Sequence, residues 1–175
     1  DLVRMLFGLA SMATNSSVYC PYDQFLSFSL AASSQSKEVN AEGFGTGMRP
    51  EWASLAAILG GDNIHVADTD PVLSPSWVED GKLQQFDYSF AILQPFPRYD
   101  QCVIDDDQYE RFDRRGSSAE TFQLIHILKQ TRKKAILLVS PNFLTRTVGL
   151  EAEVKSQFIE IDQCLESIIS LPPGC

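Results

Sequence analysis

"VYCPYDQFLSFSLAA", residues 18–32, is the stretch on which the fold turns. Val18-Tyr19-Cys20 reads as a short buried strand, Pro21 as a turn, and Phe25 to Ala32 as a helix. In many α/β enzymes a strand-to-helix junction of this kind is a glycine-rich loop wrapped around a cofactor. Here the loop carries Gln24, Phe25 and Leu26 and no glycine.

The same alternation continues on both sides. Leu2, Met5, Leu6, Leu9 and Met12 recur at helical spacing, which predicts an amphipathic helix over 2–13. Val39 to Glu42, Ile64 to Ala67, Tyr88 to Leu93 and Ala135 to Ser140 read as strands. The last of these is nearly all apolar, as a strand buried on both faces should be. Pro50 suits a first helical turn, with Trp52, Leu55, Ala56 and Leu59 as its buried stripe and Gly60-Gly61 as its stop. Ser117-x-x-Glu120 has capping-box spacing ahead of Phe122, Ile125 and Leu128. Val154, Phe158 and Ile161 mark a further helix, and Ser167 to Leu171 a last strand. Residues 98–117 read as a long, acidic surface connection. Strands alternating with helices imply a parallel sheet covered on both faces, so the class is α/β. A leading amphipathic helix over 1–17 and a single α/β domain over 18–175 describe the organisation. The abrupt amphipathic start suggests a piece of something longer.

Composition narrows the chemistry. With 23 acidic against 14 basic residues the net charge is −9, which opposes unaided binding to a phosphate backbone. Lys129, Arg132, Lys133 and Lys134 are the local basic cluster, read as a solvated helix end. Cys20, Cys102, Cys164 and Cys175 are scattered with no CxxC pair, so no zinc site is expected and a reducing, cytoplasmic setting is. Apolar runs fall short of the ~20 residues that cross a membrane. Asp105-Asp106-Asp107 is expected to stay in water rather than hold a metal. Glu42-Gly43-Phe44-Gly45-Thr46-Gly47 begins like a dinucleotide fingerprint, but Met48 stands where the third glycine belongs. A flexible turn is the plainer reading; an unrelated nucleotide site there is the alternative.

The order of these pieces resembles the adenine-N6 DNA methyltransferases, in particular the modification (M) subunit of type I restriction-modification systems. "VYCP" resembles that family's strand and Asp-Pro entry to its glycine loop, and "VNAE" the strand whose terminal acid binds the cofactor ribose. "IHVADTD" resembles its strand followed by Gly-Asp-Thr. "QQFDYSFAILQPFP" resembles its Phe-Asp strand leading to Asn-Pro-Pro-Phe, and "LESIISLPPG" its late strand ending in Leu-Pro. The resemblance implies a class I (Rossmann-like) three-layer sandwich, with parallel strands ordered 3-2-1-4-5-6 and the last antiparallel strand missing. The strand at 167–171 would then be an open edge.

The resemblance also implies S-adenosylmethionine as cofactor, with Pro21, Glu42 and Asp68 on it, and methyl transfer to an adenine flipped out of DNA. Gln94, Pro95 and Phe96 correspond to the catalytic turn. Counting from Phe96 puts Leu93 at the Asn position; counting from Pro95 puts Gln94 there. Cys20 replaces the family's acid, and Gln24, Phe25 and Leu26 take its Gly-Ser-Gly positions, where Phe25 or Leu26 would project into cofactor space. The expectation is therefore a methyltransferase-like domain with eroded sites, weak or inactive, serving as a scaffold. An active adenine methyltransferase with divergent motifs is the alternative. Implied partners are DNA within a larger assembly and other subunits or domains of restriction-modification type, with no membrane.

Overall fold

The computed structural model of the 175-residue chain describes residues 2–43, 54, 58–95, 98–100, 102–112, 118–162 and 164–172. In chain order the elements are α1 (Leu2–Ala10), β1 (Ser16–Pro21), α2 (Ser27–Ser33), β2 (Ser36–Glu42), β3 (Ile64–Val66), β4 (Val78–Glu79), β5 (Lys82–Leu83) and β6 (Phe86–Ile92). There follow α3 (Cys102–Asp105), α4 (Ala119–Lys129), β7 (Thr131–Leu138), α5 (Pro141–Thr145) and α6 (Leu150–Ser156), which runs into a π-helical turn, Gln157–Ile161.

Five strands form one sheet in the order β3-β2-β1-β6-β7, every pair parallel. Setting aside the small β4–β5 hairpin, that is the 3-2-1-4-5 order of a Rossmann-like α/β sandwich, as expected. Alternation along the strands sorts the core onto two faces. Val18, Cys20, Val39, Ala41 and Phe90 pack with α1 and α2, where Phe7 stacks on Phe90 at 4.2 Å between ring centroids. Tyr19, Ala91 and Leu93 face the other way, against Leu124 and Ile127 of α4 and Phe143 of α5.

Several expectations are corrected. Ser167–Leu171 forms no sixth strand: residues 164–172 run without regular structure and Ile168 and Ile169 are exposed. β7 is therefore the open edge, and its apolar residues Ala135–Leu138 are half-buried instead of covered on both faces. Arg132, Lys133 and Lys134 begin β7, while Lys129 alone ends α4; Lys133 Nζ sits 3.2 Å from Asp87 across the β6–β7 pair. Ser118, not Ser117, is the N-cap of α4, and Glu120 accepts instead from Ser140 N at 3.0 Å. Ser117, Phe96, residues 44–53 and 55–57 lie outside the described residues, so most of the Pro50 helix and the Gly45–Gly47 loop do too; Ile58–Gly60 is helical, but Leu59 is exposed.

The 98–117 connection is more than surface. Val103, Arg111 and Phe112 are buried, and Phe112 meets Phe122 of α4 edge-on at 4.9 Å. This layer lies over the outer side of α4, so α4 is covered on two sides. Hence Thr121, Gln123, His126 and Gln130 are fully buried although polar.

Candidate functional site at the sheet switch point

In open α/β sheets ligands lie beyond the carboxyl ends of the strands, where strand order reverses. Here the reversal falls between β1 and β6. Pro21 ends β1 and pairs with Glu42, the last residue of β2. Gln94 follows β6, and Asp68 follows β3. The fold therefore gathers the sequence-derived candidates Pro21, Glu42, Asp68, Gln94 and Pro95 at one end of the sheet, with Phe96 outside the described residues.

Glu42 is fully buried. Its Oε1 accepts from the Tyr19 hydroxyl, and its Oε2 accepts from Ser76 N at 2.9 Å and Thr69 Oγ1 at 3.3 Å. Burial raises its pKa, and these donors pull back toward the carboxylate. Tyr19 Oη also lies 2.9 Å from His126 Nε2, and His126 Nδ1 lies 2.9 Å from Arg111. A guanidinium has only donors. Arg111 must therefore donate to Nδ1, which leaves the imidazole proton on Nε2, pointing at Tyr19. The hydroxyl of Tyr19 is then free to donate to Glu42. The chain is directional: Arg111 to His126 to Tyr19 to Glu42.

Arg111 is also a clamp. Its NH1 and NH2 donate to the carbonyls of Pro71 and Val72 at 2.9 and 2.8 Å, and its Nε to Asp107 at 2.8 Å. The Asp107 side chain is thus buried against Arg111, not turned to water as expected, while Asp105 and Asp106 are exposed. Asp70 accepts from Val72 N and from the Tyr99 hydroxyl, both at 2.9 Å. The turn Thr69–Ser76 is consequently fastened across the ends of β2 and β3 by Glu42 from beneath and Arg111 from the side. Sequence reasoning placed Tyr19 only as a strand residue and gave neither Arg111 nor His126 a role in this site.

The β1–α2 loop also differs from expectation. Phe25 is 82% exposed and points away, whereas Leu26 is fully buried in the core shared with α1 and α2. Leu26 sits in the left-handed region at φ 50°, which turns its side chain inward. Asp23 is buried and accepts from Ser27 N and Ser29 N at 2.9 and 2.8 Å, so the first amides of α2 are taken by the chain itself. Tyr22 covers the end of β2. Its N–H donates to Glu42 O at 2.8 Å, and its ring lies so close to Gly43 that a Cβ there would meet Cδ1 at 2.9 Å.

The remaining candidates are simpler. Asp68 is exposed. Gln94 turns its Nε2 back onto Ile92 O at 3.0 Å, and its N–H donates to Gln123 Oε1 at 2.7 Å. Pro95 is exposed. Among the described residues no cluster of His, Cys, Asp and Glu is placed to hold a metal, and no helix is long and apolar enough to cross a membrane.

No protein-family model matches the chain, and no curated protein matches it. Solved structures do resemble part of it. A dimethyladenosine transferase from Plasmodium falciparum overlays 53% of this chain and 30% of its own at 15% identity and a TM-score of 0.41. TrmN from Thermus thermophilus overlays 54% and 28% at 20% identity and 0.42. Coclaurine N-methyltransferase, solved with N-methylheliamine and SAH, overlays 79% and 34% at 12% identity and 0.49. The chain spans about a third of the length of these proteins.

An S-adenosylmethionine pocket of the implied kind asks for a free acid at the end of β2 and an open β1–α2 loop. Neither is present in this arrangement. Both Glu42 oxygens are engaged, Tyr22 lies on Gly43, and Asp23 occupies the α2 amides. Asp68 is an exposed carboxylate at this end, whereas Asp23 and Glu42 are buried.

Proposed function

We propose that this chain is a methyltransferase-fold domain, related to the modification subunits of type I restriction-modification systems, in which the cofactor end of the sheet has been given over to internal contacts. It acts as a scaffold or interaction domain within a larger assembly that engages DNA, and methyl transfer to adenine N6 is weak or lost. The order of strands and helices around the switch point supports the family reading. S-adenosylmethionine is the cofactor that goes with the family reading, and the internal contacts of Glu42, Tyr22 and Asp23 close its place here.

One observation carries the loss of activity: Glu42 is buried with Tyr19, Ser76 and Thr69 on its two oxygens. A ligand diol would have to displace a backbone amide and a hydroxyl already in place, leaving buried donors unpaired at about 1–3 kcal/mol each. The test is isothermal titration of the chain with S-adenosylmethionine, followed by labelled methyl transfer to DNA. Absence of binding at micromolar concentration is the expected result. Micromolar binding with labelled adenine would establish the working enzyme instead.

A further inference from the structure

Beside the path from Arg111 to Glu42, three further oxygen-bearing side chains meet at the carboxyl end of the sheet. Tyr22 follows β1 directly, Asp70 stands in the turn after β3, and Tyr99 lies in the segment after β6. They come from both sides of the point where strand order reverses, the usual place for a ligand in an open α/β sheet. Tyr99 Oη donates to Asp70, 2.9 Å from Oδ2 and 3.1 Å from Oδ1. Tyr22 is 4% exposed, and its hydroxyl is held beside Tyr99 and Asp70. That hydroxyl nevertheless completes no hydrogen bond of ordinary geometry. A buried hydroxyl left in this way is destabilising and calls for a reason.

Asp70 adds a second observation. It is half-buried, and its partners, the Tyr99 hydroxyl and Val72 N, are both neutral. Asp87 has Lys133 and Asp107 has Arg111, but among the described residues no cation pairs with Asp70. A carboxylate accepts at about four positions, so these two donors leave roughly two of them. Burial and the adjacent Asp70 keep the Tyr99 phenol protonated, with its own lone pairs left to accept. The cluster thus offers one negative charge and oxygens on three sides. An ammonium is its complement: three N–H donors, one positive charge and no acceptor. A planar guanidinium suits the two oxygens of one carboxylate better than oxygens from three segments.

We infer that Tyr22, Asp70 and Tyr99 form a binding site for a primary ammonium group of a small molecule, with Asp70 as counter-charge and the two phenols as neutral acceptors. The ligand enters from the half-buried side, past Asp70 and Tyr99, and reaches the buried Tyr22 hydroxyl. The chain's net charge of −9 favours the arrival of a cation.

The test is NMR of the tyrosine rings in the intact chain, titrated at constant ionic strength with methylammonium chloride and, separately, with tetramethylammonium chloride, which has the charge but no N–H. Neither probe carries a sulfonium or an adenosine, so the result is independent of the S-adenosylmethionine titration. The expected result is saturable shifts of Tyr22 and Tyr99 with methylammonium alone, half-complete near about 10 mM, close to the best a ligand of two heavy atoms can reach. Asp70→Asn, whose amide oxygen still accepts from Val72 N and Tyr99, should weaken binding about tenfold or more. Tyr22→Phe, which deletes only the buried hydroxyl, should weaken it about fivefold and serves alone if Asp70→Asn does not fold. Shifts that never saturate, an equal response to tetramethylammonium, or affinity unchanged in the folded variants would each overturn the inference.

Discussion

His126 Nε2 stands 2.9 Å from the phenolic oxygen of Tyr19, inside a sheet face where neither residue touches solvent. The bond joins a helix to the central strand and completes a polar path from Arg111 to Glu42. Its two ends carry opposite charge, while the two rings between them are neutral. Burial and the adjacent Arg111 charge hold the imidazole pKa well below its ordinary value, and burial with the Glu42 carboxylate pushes the Tyr19 phenol well above its own.

Arg111 should be the most sensitive residue of this path. Truncation to Ala strands the Asp107 carboxylate, the His126 acceptor nitrogen and two turn carbonyls. Breaking a buried pair in this way costs about 3–5 kcal/mol. Arg111→Lys should recover little, because an ammonium on a flexible stem cannot reproduce the planar fork that holds Pro71 O, Val72 O and Nδ1 together. Urea unfolding of the two variants measures both. A loss under about 1 kcal/mol for the Ala variant would mean that the clamp holds nothing in solution.

The path also predicts how stability responds to acid. An unfolded chain protonates a histidine near pH ~6.5, whereas the folded protein keeps His126 neutral well below that value. Below pH ~6.5 the unfolded state thus binds more protons, and stability falls as pH falls, by up to about 1.4 kcal/mol per pH unit for one site. Glu42 and Asp23 act with the opposite sign. Burial raises both, so their contribution is present at low pH and is lost as pH rises through their folded-state values. The clean quantity is the difference between wild type and His126→Gln. That difference should shrink from pH 7.5 to 5.5, because only the wild type pays for keeping a histidine neutral. A constant difference across the range would show that His126 titrates alike in both states.

Much of this architecture was legible in the residues. The strands were found from short apolar runs bounded by turn residues, and the class followed from their alternation with helices. What escaped has physical reasons. Arg111 is one of four arginines in the aperiodic stretch 98–117, and nothing local signals that it turns inward. His126 sits on a helix whose covered sides leave no clean apolar stripe, so Thr121, Gln123 and Gln130 hide it. Asp80-Gly81, with φ of 51° and 75°, is the two-residue turn of the β4–β5 hairpin, a signal present in the sequence and passed over. Phe25 and Leu26 were read together as bulk at the cofactor loop. One left-handed residue is enough to send one outward and the other into the core.

That separation can be measured. Phe25→Ala removes a side chain that is 82% exposed and should change stability by less than about 0.5 kcal/mol. Leu26→Ala empties a fully buried position and should cost about 2–5 kcal/mol. If Phe25 were the residue that keeps a cofactor out, its truncation would restore binding. With the end of β2 closed by Tyr22 and by the Thr69–Ser76 turn, it should not. Titration of Phe25→Ala with S-adenosylmethionine decides between the two, and new micromolar affinity would return Phe25 to the role that the sequence assigned it.

Glu42→Gln separates a structural carboxylate from a ligand-binding one. Whichever oxygen becomes the amide nitrogen, a donor then faces a donor: Ser76 N–H on one side, or the Tyr19 hydroxyl on the other. Tyr19 cannot simply reverse its hydroxyl, because the His126 proton already points at its oxygen and Arg111 fixes that tautomer. The expected loss is about 1–3 kcal/mol, seen as a lower urea midpoint with the slope unchanged. The change should also loosen the Thr69–Ser76 turn, so amide exchange at Ser76 ought to quicken while that of β1 does not. A residue kept only for a ligand would lose neither stability nor turn protection on this substitution. Unchanged values for both would therefore take away the central support for a closed cofactor end.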